Sequence, residues 1–223
     1  MTGVTEPVRL LLVDDDPLVR AGLSSMLTGA PELQLVGEAA DGQQAVDAVR
    51  DLRPDVVLMD IGMPVLDGVA ATSVIRRRPG APEVVMLTTF GSEEYLLQAL
   101  RAGASGYLLK DAAPAEIVAA VLKVAAGESV LSPQSTRQLM DHIGAVDQDS
   151  RRTAALAALA QLTERERDVV LAVAQGKSNA EAAVALDLGI ATVKTHLTNS
   201  LAKLQLTNRV QLALLAHDAG LGV

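Results

Sequence analysis

The sequence contains no cysteine and only three aromatic residues in 223 positions, Phe90, Tyr95 and Tyr107. The lack of cysteine excludes disulfides, thiolate metal sites and a cysteine nucleophile, and it fits a reducing compartment. Apolar residues still make up 49% of the chain. The core must therefore be built mainly from Leu, Val, Ile and Ala.

Long apolar runs and an N-terminal targeting pattern are also missing. No stretch approaches the ~18 apolar residues that a membrane helix needs. Residues 1–7 lack the basic start and apolar centre of a secretory signal. We expect a cytoplasmic protein with no membrane partner.

A basic excess is absent as well, since the net charge is −8. Residues 1–127 carry 10 Lys or Arg against 17 Asp or Glu, whereas residues 162–223 carry six of each. Nucleic-acid binding depends on positive charge. A DNA contact in the last part of the chain would therefore rest on few phosphate contacts.

Up to residue 127, short apolar runs alternate with amphipathic helix signals, which follow Pro17, Gly42, Asp67, Ser92 and Pro114. The runs are hydrophobic throughout, which is typical of strands buried on both faces. This alternation predicts a doubly wound α/β domain with five parallel strands. The predicted strands are Val8–Val13, Leu33–Ala39, Val56–Met59, Val84–Thr88 and Gly106–Leu109.

The segment 128–161 has a looser pattern, and we interpret it as a linker with a short helix over Pro133–Ile143. Gly144–Arg152 is polar and is predicted to be mobile. Ala154–Ala160 is rich in Ala and Leu, so it either extends the next helix or packs on it.

From residue 162 to 223 the period is helical throughout. Thr163 with Glu166, and Ser178 with Glu181, form two capping-box patterns that start helices. The segment predicts an all-α domain of four short helices, of which the second and third form a helix-turn-helix.

Four charged residues follow predicted strands directly: Asp14, Asp15, Asp60 and Lys110. Parallel strands gather their carboxyl ends at one crevice, so these side chains should meet there. Crowded carboxylates raise one another's pKa unless cations compensate. Oxygen ligands suit Mg²⁺, or Mn²⁺, so the arrangement predicts a metal-loaded acidic pocket. Asp16, before Pro17, is explained as a helix cap.

One carboxylate in such a pocket can act as a nucleophile toward phosphorus and form an aspartyl phosphate. Asp60 is the candidate, and Lys110 supplies a positive charge to the phosphoryl oxygens. Thr88, at the end of the fourth strand, can hydrogen-bond a phosphoryl oxygen. Tyr107 either fills the core or changes rotamer when Thr88 moves.

These motifs resemble the receiver domain of bacterial two-component response regulators over residues 8–127. The resemblance implies that Asp60 is the phosphoacceptor and that Thr88, Tyr107 and Lys110 form the switch. It also implies Asp14, Asp15, Asp60 and the Gly62 carbonyl as metal ligands. The matching segments are Leu11–Pro17, Asp55–Pro64, Leu87–Thr89 and Ala102–Asp111.

Two positions near the phosphoacceptor govern phosphate lifetime in receivers, and here they are Gly62 and Phe90. Neither side chain can orient an attacking water, so slow self-dephosphorylation is expected. Asp16 stands where this subfamily often has His, which makes the rim of the pocket more acidic.

The helical tail resembles the LuxR-type helix-turn-helix, so the whole chain is similar to NarL/FixJ-type response regulators. In that family the third helix of the tail enters the major groove. The matching base-facing positions are Lys194, Thr195 and Thr198, and Thr192 matches a phosphate contact. His196 is interpreted as a packed or capping residue.

The tail also departs from the family pattern. Gly189 and Ile190 replace the usual Ser cap and Glu, and Asn199 stands where Arg is frequent. We expect a monomer to bind DNA weakly, so that useful binding requires dimerisation.

The resemblance implies a transcription regulator that is phosphorylated by a sensor histidine kinase, dimerises and binds double-stranded DNA, with RNA polymerase as a further candidate partner. It would be no enzyme beyond promoting its own phosphorylation and slow dephosphorylation. Three alternatives stay open: a haloacid-dehalogenase-type phosphatase, a phosphorylation-independent regulator, and a regulator acting through protein contacts with weak DNA binding. The phosphatase fits poorly, because Pro17-Leu18 follow the acids and no cap domain is evident.

Overall fold

The computed structural model describes residues 6–78, 80–89, 93–131 and 148–221. These residues form two compact units, one built on a parallel sheet and one purely helical. The expectations for Phe90, Ser92, Pro133–Ile143 and the start of the predicted mobile segment lie outside the described residues.

The first unit contains, within its described part, a six-stranded parallel sheet in the order β2-β1-β3-β4-β5-β6. The five predicted strands are confirmed, and a two-residue strand is added at the edge beside β5. Because β2 and β3 lie on opposite sides of β1, the connections diverge there and open a crevice at the carboxyl ends of the strands. The strands are β1 (Val8–Val13), β2 (Leu33–Ala39), β3 (Val56–Asp60), β4 (Glu83–Thr88), β5 (Gly106–Leu109) and β6 (Val130–Leu131).

Helices connect the strands and begin close to the expected positions. Asp16, Asp41 and Asp67 cap the first three, because each carboxylate accepts hydrogen bonds from amides of the first turn. The helices of this unit are α1 (Pro17–Thr28), α2 (Gly42–Leu52), α3 (Gly68–Arg76), α4 (Glu93–Ala102) and α5 (Pro114–Ala125).

Apolar side chains of the sheet pack against helices on both faces. On one face α1 and α5 contribute Leu23 and Val121 to a core that includes Leu10 and Leu87. On the other face Thr72 of α3 contacts Met86, whose side chain alternates with that of Leu87 along β4. Burial on both faces explains why the strands are hydrophobic throughout.

The second unit is helical in all of its described elements from residue 148 onward. Its helices are α6 (Gln148–Leu159), α7 (Glu164–Ala174), α8 (Asn179–Leu186), α9 (Ile190–Lys203) and α10 (Arg209–Asp218). Both predicted capping boxes are formed, at Thr163 with Glu166 and at Ser178 with Glu181. The predicted helix-turn-helix is α8 and α9, joined by a turn in which Asp187 has φ +53°.

Helix α6 corrects the expectation for the linker. Gly144–Arg152 was predicted to be mobile, but α6 begins at Gln148. Ala155 and Leu159 are buried in the helical core beside Val169 and Leu212. The Ala/Leu-rich stretch therefore packs on the helical unit as a helix of its own, because two apolar side chains one turn apart have an apolar surface to cover.

Candidate functional site

The four charged residues expected at the strand ends lie together in the structure. Asp14 follows β1, Asp60 ends β3, and the register pairs Val13 with Met59 just before them. Lys110 follows β5, where its amide donates to the Thr88 carbonyl at 2.8 Å. The Lys110 Nζ atom lies 2.6 Å from Asp14 Oδ2 and 3.1 Å from Asp60 Oδ2. One ammonium thus bridges two buried carboxylates.

Burial and charge act in opposite directions on this cluster. Burial raises the pKa of Asp60 above its ordinary value, although the hydrogen bond and charge of Lys110 oppose the rise. For Lys110, burial favours a lower pKa, but the hydrogen bonds and charges of Asp14 and Asp60 outweigh it and raise the pKa. Lys110 therefore stays protonated at neutral pH, as a phosphoryl partner would need to be.

Asp14, Asp15 and Asp60 can direct carboxylate oxygens to one point. Ligand atoms of all three lie within 4.8 Å of one another, with Asp14 and Asp60 buried and Asp15 exposed. The Gly62 residue lines the same cleft. Carboxylate and carbonyl oxygens in an open, partly hydrated site fit a divalent cation of the Mg²⁺ type.

Backbone contacts hold the two buried carboxylates. Asp14 Oδ1 accepts from the Asp16 amide at 3.0 Å, and Asp60 Oδ1 accepts from the Ile61 amide at 2.8 Å. Gly68 lies against the backbone of Asp60, where a Cβ atom would come within 1.9 Å of the Asp60 carbonyl oxygen. Only glycine permits this close approach, so α3 can start directly behind Asp60.

Thr88 and Tyr107, the predicted switch pair, lie on the neighbouring strands β4 and β5. Both side chains are buried, and that of Tyr107 is fully so. Burial raises the pKa of Tyr107, and the nearby Thr88 hydroxyl offsets part of the rise. The Tyr107 hydroxyl is buried without a well-formed hydrogen bond. Such a group is costly to bury and gains from a change of position that exposes it or provides it with a partner.

The structure adds residues that the sequence did not single out. Arg20 donates to the Asp14 carbonyl at 2.6 Å and pairs with Glu38 at 3.2 Å, which fixes the end of β1. In the sequence, the one signal for this role is that Arg20 is a basic residue one helical turn after Asp16. The acidic cluster opens into a cleft of about 1040 Å³ that extends along α3 and α4, where Ser73, Tyr95, Gln98 and Arg101 line it.

The candidate DNA-contacting residues share the outer face of α9. Val193, Leu197 and Ser200 are buried and define the inner face. The other face carries the four predicted residues, all exposed: Thr192, Lys194, Thr195 and Thr198. His196 lies at the boundary and is partly buried.

The start of α9 departs from the usual cap, as its sequence suggested. Gly189 is the N-cap residue, and because it has no side chain it provides no capping hydrogen bond to the helix. Ile190 follows at the first helical position and is 50% exposed.

Comparison with protein families accounts for both units. Residues 10–122 match the response regulator receiver domain, and residues 160–216 match the luxR family of bacterial regulatory proteins. The second match includes the helix-turn-helix of α8 and α9.

Relatives also match this chain over nearly its whole length. The nitrate/nitrite response regulator NarL of Escherichia coli K12 is 36% identical over 213 residues, which cover 96% of each chain. LiaR of Bacillus subtilis 168, a transcriptional regulatory protein, is 36% identical over 210 residues, covering 94% of this chain and 97% of LiaR.

Among solved structures, the response regulator ChrA of a heme-sensing two-component system is 35% identical. It superposes with a TM-score of 0.53 and covers 96% of this chain and 98% of its own. The fold, the acidic cluster and these matches together show that the chain belongs to the two-component response regulators that join a receiver domain to a LuxR-type DNA-binding domain.

Proposed function

We propose that a sensor histidine kinase phosphorylates Asp60 and that this switches the protein to a dimer that binds promoter DNA. In this proposal residues 1–127 receive the signal, 128–161 connect the domains, and 162–223 bind DNA. The observation that carries the proposal is the sharing of one ammonium, that of Lys110, by Asp14 and Asp60. A phosphoryl group on Asp60 would replace one of the two carboxylates and change what Lys110 binds.

The cleft supplies the nucleophile for the transfer and the groups that surround the phosphoryl oxygens. The Asp60 carboxylate attacks the phosphorus of a phosphohistidine, so a P–O bond forms while the P–N bond breaks and the imidazole leaves. Asp14, Asp15, Asp60 and the Gly62 carbonyl would hold Mg²⁺ or Mn²⁺, and the ion would neutralise charge on the phosphoryl oxygens. Lys110 contributes a second positive charge.

Phosphorylation then changes the contacts of the switch residues. The Thr88 hydroxyl and Lys110 bind phosphoryl oxygens. Thr88 then moves away from the buried Tyr107 hydroxyl, and Tyr107 changes rotamer in response. Surfaces near α4 and α5 change, which favours pairing of two receivers. RNA polymerase is a further candidate partner of the dimer on DNA.

In the DNA complex, α9 would lie in the major groove. Lys194, Thr195 and Thr198 face base edges, and Thr192 contacts a phosphate. Their common exposed face on α9 supports this assignment. The single ammonium among them fits the expectation that each protomer binds weakly.

The test compares Asp60→Asn with the wild type after incubation with a small phosphodonor and Mg²⁺. Wild type should gain the mass of one phosphoryl group and sediment as a dimer, whereas Asp60→Asn should do neither. Asp16→Asn is the matched control, because Asn replaces Asp well as a helix cap. Phosphorylation of Asp60→Asn, or a wild-type protein that stays monomeric once phosphorylated, would refute the proposal.

A further inference from the structure

The first two turns of α9 present an apolar surface beside Lys194. Ile190 is 50% exposed at the first helical position, and Ala191 beside it is exposed as well. The Thr195 hydroxyl donates to the Ala191 carbonyl at 2.9 Å. Because this proton is engaged with the helix, Thr195 offers its methyl group and an acceptor to the outside.

Helical spacing places these groups together. Ile190 and Lys194 are four residues apart, as are Ala191 and Thr195, so the two pairs form adjacent rows. Val193 and Leu197, three and seven residues after Ile190, are buried next to it, so Ile190 lies at the edge of the exposed face, one turn before Lys194. The apolar patch and the ammonium therefore meet the same partner.

The position of the patch selects its occupant. In a helix-turn-helix the N-terminal residues of the recognition helix contact base edges. Among the groups that base pairs expose in the major groove, the thymine C5-methyl is the apolar one. An apolar protein partner would require a larger dry surface than one isoleucine and one alanine next to a charged lysine.

We infer that Ile190, supported by Ala191, contacts the C5-methyl group of a thymine and makes the protein select thymine at that position of each half-site. This inference rests on the proposed DNA binding. It assigns specificity to a residue that replaces the usual Glu. The patch reads a methyl group, while Lys194 reaches acceptors nearby.

The test removes the methyl group from the DNA and the side chain from the protein. Duplexes are first selected from random DNA with the phosphorylated full-length wild type. Each thymine of the selected site is then replaced singly by deoxyuridine, which lacks only the C5-methyl. Burial of one methyl-sized group corresponds to about a fourfold change in Kd. At one position, wild type should bind deoxyuridine about fourfold more weakly, whereas Ile190→Ser should bind both duplexes equally.

Two variants guard against a trivial loss. Ile190→Val keeps methyl groups at the same place and should retain discrimination between thymine and deoxyuridine. Val184→Ser removes another exposed apolar side chain, on α8, and should also retain it, since Val184 lies outside the proposed contact.

The inference fails if wild type is indifferent to every deoxyuridine replacement, or if Ile190→Ser still discriminates. It fails too if Val184→Ser loses the discrimination equally, because the effect would then belong to the domain as a whole. Absence of any selected site would overturn the proposed DNA binding together with it. Specific binding that ignores the methyl group would overturn this inference alone.

Discussion

Gly62, two residues after Asp60, leaves open space in the cleft where a side chain would begin. A Cβ atom there would meet no other atom within 4 Å, and the backbone does not have the left-handed φ that favours glycine. Replacement by Gln should therefore be tolerated and should place an amide where it can orient a water against the phosphoryl group. We expect Gly62→Gln to lose its phosphoryl group about tenfold faster, which is less than a positioned general base contributes.

Release of labelled phosphate from purified protein measures this rate. Gly62→Ala is the control, because it adds a Cβ atom without an acceptor and should lose phosphate at the wild-type rate. Equal rates for Gly62→Gln and wild type would show that the lifetime is set elsewhere.

Val65, in the loop between β3 and α3, has φ +67° and is 85% exposed. A β-branched residue in the left-handed region is strained by about 1–2 kcal/mol. Asn tolerates this conformation, so Val65→Asn should raise the free energy of unfolding of the sheet unit by about 1 kcal/mol. Both tyrosines lie in this unit, so urea unfolding followed by tyrosine fluorescence reports on it.

Val74→Asn provides the comparison for Val65→Asn. Val74 is a partly exposed residue inside α3, in ordinary helical conformation, so Asn should not stabilise there. Equal effects of the two substitutions would argue against strain at Val65.

At the scale of single residues, the sequence predicted the acidic cluster because each member directly follows an apolar run. Asp14, Asp60 and Lys110 needed only the rule that parallel strands end on one edge. Arg20 was not predictable, because its contact with the Asp14 carbonyl depends on how α1 turns toward β2. Gly68 was missed for a similar reason, since its close approach to Asp60 depends on the path of the intervening loop.

Among the helices, α7 depends on a carboxylate that serves both as a cap and as an ion-pair partner. Glu166 accepts from the Thr163 amide at 2.8 Å and from Lys203 Nζ at 2.7 Å. The hydrogen bond from Lys203, followed by that from Thr163, lowers the pKa of Glu166 from 4.5 to about 2. The contribution to stability is therefore complete above the unfolded-state value of 4.5 and is lost as the pH falls toward 2.

Glu166→Gln should remove this pH dependence, because Gln keeps the capping hydrogen bonds but cannot be charged. The pH dependence is measured by hydrogen exchange of the α7 amides in the full-length protein, with wild type and Glu166→Gln compared at each pH. Wild type should lose protection relative to Glu166→Gln between pH 4.5 and 2.

Glu181→Gln alters the second capping box. The pKa of Glu181 is lowered mainly by the hydrogen bond from the Ser178 amide and then by that from the Ser178 hydroxyl. Its effect should be smaller, since an ammonium is not its main partner. Identical pH profiles for wild type and Glu166→Gln would contradict the role assigned to the ion pair with Lys203.

At the scale of elements, the periodic helices and capping boxes were predictable because their signals are local. Strand β6 is too short to show a period, and its formation depends on the exposed edge of β5. Helix α6 was missed at its start because Gln148–Arg152 is polar, while Ala155 and Leu159 pack into the helical core.

The whole molecule separates its charges, with the acidity in the receiver and no net charge in residues 162–223. Within the described helical unit, Lys203 is engaged by Glu166, and Lys194 is the exposed cation on the outer face of α9. The logarithm of the association constant for DNA falls with the logarithm of salt concentration by about 0.9 per phosphate neutralised. Few neutralised phosphates should therefore give the phosphorylated dimer a shallow slope, about −2 to −4.

Lys194→Gln tests whether that slope comes from α9. If Lys194 lies beside a phosphate, the variant should bind more weakly to all sequences and its slope should be shallower by about one per protomer. If Lys194 reads a base instead, discrimination at one position should relax while the slope changes less. Lys123→Gln, at the exposed end of α5, is the control and should leave the slope unchanged, because it lies in the receiver.

A wild-type slope steeper than about −8 would mean that many more phosphates are contacted than the neutral tail provides for. The linker or the receiver would then have to supply the missing cations.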